Sequence, residues 1–156
     1  MKIKSVTVNN YKKAFEVETA KRTYSLPFTK CELVPSEKDR VANVYVDPAL
    51  AKEGITYTLE SGGENSLMLD AFLDYNRDPE YMRKMLLYRL TTEALELIEK
   101  TDVSKREIAR KLHTSPAQLY RLLDAANYSK TVDNMVRLMG VLGVEVDFRI
   151  VNPRAA

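Results

Sequence analysis

The stretch Ser104–Ala126, "SKREIARKLHTSPAQLYRLLDAA", decides how the second half of this chain is read. It holds two short apolar-periodic runs with a break between them. Ser104, followed three residues later by Glu107, forms the S-x-x-E capping box that opens a helix. Ile108, Ala109 and Leu112 recur at helical spacing, and Ala109 is small where two helices would cross. His113 falls where the chain must turn. A left-handed backbone there favours glycine, and histidine is one of the more tolerant substitutes. Ser115 then caps a second helix, with Pro116 at its first position, where a missing N–H costs nothing. Leu119, Leu122 and Leu123 face inward by the same spacing. Ala117, Gln118, Tyr120, Arg121 and Asp124 are left on the outer face or its flanks. This is the form of a DNA-reading helix pair, and also of two helices that merely pack.

Outward from that pair, the apolar pattern continues in both directions. After Asn127-Tyr128 a third start, "SKTVDNMVRLMGVLG", has Ser129 as its cap, Val132, Met135, Val136 and Met139 as its apolar set, and Gly143 as its end. "VEVDFRIV" then alternates Val144, Val146, Phe148 and Ile150 with Glu145, Asp147 and Arg149, which predicts a β-strand stopped by Asn152-Pro153. Upstream, Asp78, Pro79 and Glu80 give a cap, a proline at the first turn and an acid near the positive end of the helix dipole. From there Met82, Leu86, Leu90, Ala94 and Leu97 lie near one stripe, with Leu87 and Ile98 beside it. That spacing predicts one long helix.

Before Leu59 the period is that of strands. "KIKSVTV", "AFEVETAKRTYSL", "RVANVYVDP" and "ITYTLESGG" are rich in β-branched and aromatic residues and end at breakers such as Pro48 and Gly62-Gly63. "AKR" suits a hairpin turn, and "PALAKEG" has room for one helical turn. Four or five short strands in one small antiparallel sheet are expected, then a short helix in "NSLMLDAFLDY" and a linker at "NRDPE". The expected fold class is α+β: a β-rich domain over 1–76, then a helical domain over 77–156 ending in a strand.

Composition sets bounds on function. The 156 residues are 45% hydrophobic and 29% charged with a net charge of +2, the profile of a water-soluble globular chain that neither demands nor excludes nucleic acid. The distribution is more telling. Glu60, Glu64, Asp70, Asp74, Asp78 and Glu80 meet Arg77 alone, whereas Lys105, Arg106, Arg110, Lys111 and Arg121 meet Glu107 alone. The single cysteine, Cys31, permits no internal disulfide and fits a reducing cytoplasm. No apolar run approaches the ~18 residues of a membrane span, and the N-terminus lacks a secretory apolar core. No Gly-rich phosphate loop, metal-ligand spacing or G-x-S-x-G is seen, so neither an enzyme nor a cofactor is expected. Asp70 and Asp74 read as solvated helix charges. Tyr45, Tyr57 and Tyr75 read as half-buried sheet and helix residues.

"SKREIARKLHTSPAQLYRLLDAANYSKTVDNMVRLMGVLGVEVDF" resembles the Cro/C1-type (XRE-like) helix-turn-helix of transcriptional regulators, and looks closest to the antitoxin-like, HigA-related branch. The likeness runs from about Tyr81 to Val151. His113 departs from it, standing where a glycine is usual. The first part, to about Tyr75, is similar to a small β-rich domain of unknown function. The resemblance implies an all-α, lambda-repressor-like domain ending in a strand, and an autoregulating repressor or antitoxin-like protein. It implies Lys105 on a phosphate, Pro116, Ala117 and Gln118 in the major groove, and Tyr120 and Arg121 near, with Arg106 and Ser115 on the same surface. Gln118 can pair bidentately with adenine and Arg121 with guanine, while short apolar groups meet a thymine methyl. One such pair grips little DNA, so a homodimer on double-stranded DNA is expected. Val144, Val146, Phe148 and Ile150 are its candidate contact, through strand pairing with a second copy or, instead, packing on the chain's own front sheet. A protein partner, a toxin by the resemblance, is expected at the acidic front domain. The competing expectation is a toxin-binding or adaptor module that never reads DNA.

Overall fold

The structure, a computed structural model, describes residues Met1–Asn152. Alternating apolar residues build the first sheet. β1 (Ile3–Asn9), β2 (Ala14–Thr19) and β3 (Thr23–Pro27) are antiparallel neighbours in that order. In register, Phe15 faces Leu26 and Val17 faces Tyr24, and all four are buried. The Ala20–Arg22 turn joining β2 and β3 is held by Thr19. Its hydroxyl donates to the Arg22 carbonyl at 2.8 Å and accepts the Lys21 and Arg22 N–H groups at 3.2 and 3.3 Å. A threonine thus does the work of the absent Asn-Gly.

A second antiparallel sheet follows, in the order β4 (Val41–Val46), β5 (Gly54–Leu59), β6 (Glu64–Met68). β5 is its centre and is buried at nearly every position. Gly54 opens β5 at a crowded point: a Cβ there would lie 2.6 Å from Leu50 Cδ1, so that side chain would have to move, and 3.1 Å from the Leu67 carbonyl. The Thr56 hydroxyl donates to Asp47 at 2.6 Å and meets the Ser66 hydroxyl at 2.7 Å, tying all three parts of the sheet together. Asp47 also caps the short 3-10 turn Pro48–Leu50 by accepting from Ala49 at 2.8 Å. Its carboxyl is held below the ordinary aspartate range, first by Thr56 and then by that N–H. The two sheets share one core. The Phe15 ring lies 4.7 Å from that of Tyr57 and 5.0 Å from that of Phe28. The helix α1 (Leu69–Tyr75) adds Leu69, Phe72 and Leu73 to it. Tyr57 is fully buried and donates to the Leu33 carbonyl at 2.5 Å; burial above all pushes its pKa up to about 12. Cys31 is buried in the same core.

The chain divides into two compact units, Met1 to Met82 and Arg83 onward, and the boundary falls inside α2 (Pro79–Lys100). In the second unit, α2 is joined by α3 (Lys105–Lys111), α4 (Pro116–Leu123) and α5 (Val132–Val141). Their core is built on Leu87, Ala94, Ile108, Leu119, Met135 and Leu138. The buried face of α2 carries Leu87, Leu90, Thr91 and Ala94, while Leu86 is exposed. Thr91 fits there because its hydroxyl donates to the Leu87 carbonyl at 2.6 Å.

The expected architecture is corrected in three places. The front holds six strands in two sheets, not one sheet of four or five. Residues Asn65–Met68, expected as the start of a helix, belong instead to the edge strand β6 (Glu64–Met68), because Ile55 and Tyr57 offer them a partner ladder. The helical domain does not end in a strand: Val144 to Asn152 carry none, and the lambda-repressor-like, strand-closed domain is not what the chain forms. Alternation supplies two faces but does not by itself supply a partner strand. Val144 and Val146 instead lie half-buried against the helices of their own unit, and Phe148 and Ile150 are exposed. Pro153, read as the strand's stop, lies outside the described residues.

Candidate nucleic-acid interface

The α3–α4 pair is assembled by local rules that the side chains state plainly. Ser104 Oγ accepts the Glu107 N–H at 3.2 Å and starts α3. The reciprocal arm of the box is absent, because the Glu107 carboxylate takes the Arg110 guanidinium at 2.6 and 2.8 Å instead. That bond holds the Glu107 carboxyl below its usual range and raises Arg110. Arg110 is therefore already engaged within its own helix. α3 ends in two capping bonds, His113 N–H to the Arg110 carbonyl and Thr114 N–H to the Ala109 carbonyl, both at 3.0 Å. This closure needs a left-handed residue after the helix, and His113 supplies it with φ of +55°.

Ser115 Oγ then accepts the Gln118 N–H at 3.2 Å, and Pro116 opens α4. Leu119 and Leu123 are buried and Leu122 is half-buried, so α4 is locked onto the core by one face. Pro116, Ala117, Gln118, Tyr120 and Arg121 are all exposed on the other. Lys105 and Arg106 are exposed at the start of α3. Lys105 is brought to α4, its Nζ 5.3 Å from the centroid of the Tyr120 ring. A cation over an aromatic face at that range is attracted to it. Lys105, Arg106, Lys111 and Arg121 are thus exposed on α3 and α4, and the tip of α4 carries two short apolar groups and an amide.

Sequence reasoning passed over the groups that fix the far end of α4. Lys130 is buried, 6% exposed, and its Nζ donates to the Leu122 and Asp124 carbonyls at 2.8 and 2.7 Å. Asn127 Nδ2 donates to the Arg121 carbonyl at 3.0 Å. A cation and an amide therefore satisfy three carbonyls at the negative end of the dipole. Burial lowers the Lys130 pKa, and Asp124 offsets part of that. No local signal marked Lys130, since its partners lie six and eight residues earlier. The cap of α5 is also corrected: Thr131, not Ser129, accepts the Asn134 N–H, at 3.2 Å, and Ser129 bonds Asn127 instead.

Beside the α3–α4 turn lies a cleft of about 190 Å³, walled by His113, Thr114, Gln118, Asn134 and Arg137 over leucine side chains. Asn134 and Arg137 come from α5, and the sequence pattern did not single them out. Of the four residues proposed for self-association, Phe148 and Ile150 stand free at 80% and 88% exposure. Tyr45 and Tyr75 are exposed on the first unit, and Asp74 pairs with Arg77 at 3.6 Å. Among the described residues no cluster of three metal-ligating side chains occurs, and no helix is long and apolar enough to cross a membrane. Comparison with models of protein families, with curated proteins and with solved structures finds no match.

Proposed function

We propose that this protein is a sequence-reading, DNA-binding transcriptional regulator that acts as a dimer. The observation that carries the reading is the exposed tip of α4. Pro116, Ala117, Gln118 and Arg121 project from a helix whose opposite face is buried, beside the exposed cations Lys105, Arg106 and Lys111. A rigidly seated helix with a free amide and a free guanidinium fits the major groove, where Gln118 reads adenine and Arg121 reads guanine. The neighbouring cations and the Ser115-capped helix start meet the phosphates. The resemblance of Tyr81–Val151 to Cro/C1-type regulators points the same way. Few hydrogen-bonding groups reach the bases, so affinity per half-site is modest and a second copy raises it. A cytoplasmic location goes with this reading and with a buried, lone Cys31.

The test is binding to duplex DNA from just upstream of the protein's own coding region, wild type against Gln118→Ala and Arg121→Ala. Weakened binding at the specific site with non-specific binding retained supports a base-reading α4. A regulator with ~6–10 phosphate contacts loses about 10³–10⁵ in affinity between 50 and 200 mM salt. No affinity even at low salt refutes the proposal. The second reading, a protein-interaction module, is favoured by the apolar side chains of Phe148 and Ile150 standing in solvent.

A further inference from the structure

We propose that the cleft between the α3–α4 turn and α5 is a phosphate site, with Arg137 as its principal ligand. The part of this inference that concerns DNA rests on the reading above. Five polar side chains, His113, Thr114, Gln118, Asn134 and Arg137, wall the cleft, and no acid is among them. Among the described residues none of these five side chains makes a hydrogen bond or ion pair within the chain. Three cations of this unit are engaged, Arg110 by Glu107, Lys130 by two carbonyls and Lys105 by Tyr120, while Arg106, Lys111 and Arg121 stand exposed outside the cleft. Arg137 lines the cleft and is not engaged. Its guanidinium presents planar, paired N–H groups that match two oxygens of a phosphate. The Gln118 and Asn134 amides, the Thr114 hydroxyl and the His113 imidazole each add a donor to the same space.

Size narrows the ligand. Pockets for drug-sized molecules run to about 300–1,000 Å³, and this cleft is smaller, suited to one tetrahedral oxyanion. Position names its source. Gln118 belongs both to the cleft and to the exposed tip of α4, so a duplex seated on α4 places a backbone phosphate beside Arg137. The same chemistry would also accept a free phosphate.

Two measurements on the full chain separate these sources. The first is the salt dependence of binding to a random-sequence duplex, wild type against Arg137→Gln and Arg137→Lys. The second is NMR of the imidazole of His113, the chain's one histidine, during titration with inorganic phosphate. Loss of one phosphate contact lowers the slope of log K against log salt by about one. That fall in Arg137→Gln, with Arg137→Lys in between, assigns the cleft to the DNA backbone. An unchanged slope, or no duplex binding by wild type at all, together with an imidazole shift that Arg137→Gln abolishes, assigns it to free phosphate. Absence of duplex binding by wild type would sink the DNA reading and leave the site standing. If neither the slope nor the resonance depends on Arg137, the phosphate site is wrong, whatever α4 does. Equal thermal stability of the variants excludes misfolding, as expected for an exposed side chain.

Discussion

At the scale of single residues, Tyr24 and Asp78 form a buried polar pair in the first unit. The Tyr24 hydroxyl donates to Asp78 Oδ2 at 2.8 Å, and Arg22 approaches the same oxygen at 3.9 Å while lying 4.6 Å over the Tyr24 ring. Asp78 Oδ1 meanwhile accepts the Tyr81 N–H at 3.1 Å and caps α2. The "NRDPE" segment, expected as a linker, is thus fastened within the first unit, its aspartate 7% exposed. Tyr24→Phe should lower the unfolding free energy by about 1.5–3 kcal/mol, the usual worth of a bond to a charged group, and urea denaturation reads it. A pH dependence follows. Burial works to raise the Asp78 pKa from 3.8, but the Tyr81 N–H, the Tyr24 hydroxyl, Lys21 and Arg22 outweigh it and the net shift is downward. A carboxylate whose folded pKa is depressed stabilises fully above its unfolded pKa, and that contribution is lost as pH falls through the folded value. Asp78→Asn should therefore flatten the stability profile below about pH 4. An unchanged acid limb in the variant would show that Asp78 is not the group responsible.

At the scale of elements, ends matter more than interiors. α5 closes as α3 does. Gly143, at φ of +83°, follows the helix, and the Gly143 and Val144 N–H groups bond the Gly140 and Met139 carbonyls at 3.1 Å. α3 makes the same closure with histidine, and the turn before β5 puts Ala51 and Lys52 at φ of +54° and +59°. In that turn the Glu53 N–H bonds the Leu50 carbonyl at 2.8 Å, and two successive left-handed residues are the arrangement for which Asn-Gly is preferred. A side chain in that region costs roughly 1–2 kcal/mol. Ala51→Asn with Lys52→Gly should raise stability by about 1 kcal/mol, since Ile3 and Lys2 bond the backbone carbonyls there and lose nothing. A drop in melting temperature would mean the side chains matter. The end of α4 tests the opposite case. Lys130→Met should destabilise by at least ~2 kcal/mol, because it leaves the Leu122 and Asp124 carbonyls without their donor. Denaturation should show that loss while Ser129→Ala, at the position first read as the α5 cap, changes little.

At the scale of the whole molecule, the fold is two cores on one chain, and the last residues divide between core and surface. Val146→Ser should lower the melting temperature, because Val146 packs on the helical core. Phe148→Ser with Ile150→Ser should leave it unchanged yet shift the proposed dimer to monomer in sedimentation velocity. Persistence of the dimer would place the contact elsewhere. Four features of the second unit were legible in the sequence because they are local: the Ser104 and Ser115 caps, Pro116 at a helix start, the positive φ at His113, and the buried Leu119 and Leu123. Each is decided by bonds spanning a few residues or by one helical period. The hairpin at Ala20–Arg22 was legible for the same reason. The partition of six strands into two sheets was not, nor the pairing of Glu64–Met68 with β5, the Lys130 clamp, or the convergence of Arg137 with Gln118. Those depend on which distant surface each segment meets. "VEVDFRIV" shows the limit most clearly. Its alternation determined two faces and placed Val144 and Val146 on the inner one. Whether it became a strand was left to the tertiary structure, because a strand's backbone N–H and C=O groups need a neighbouring edge, and among the described residues this segment pairs with none.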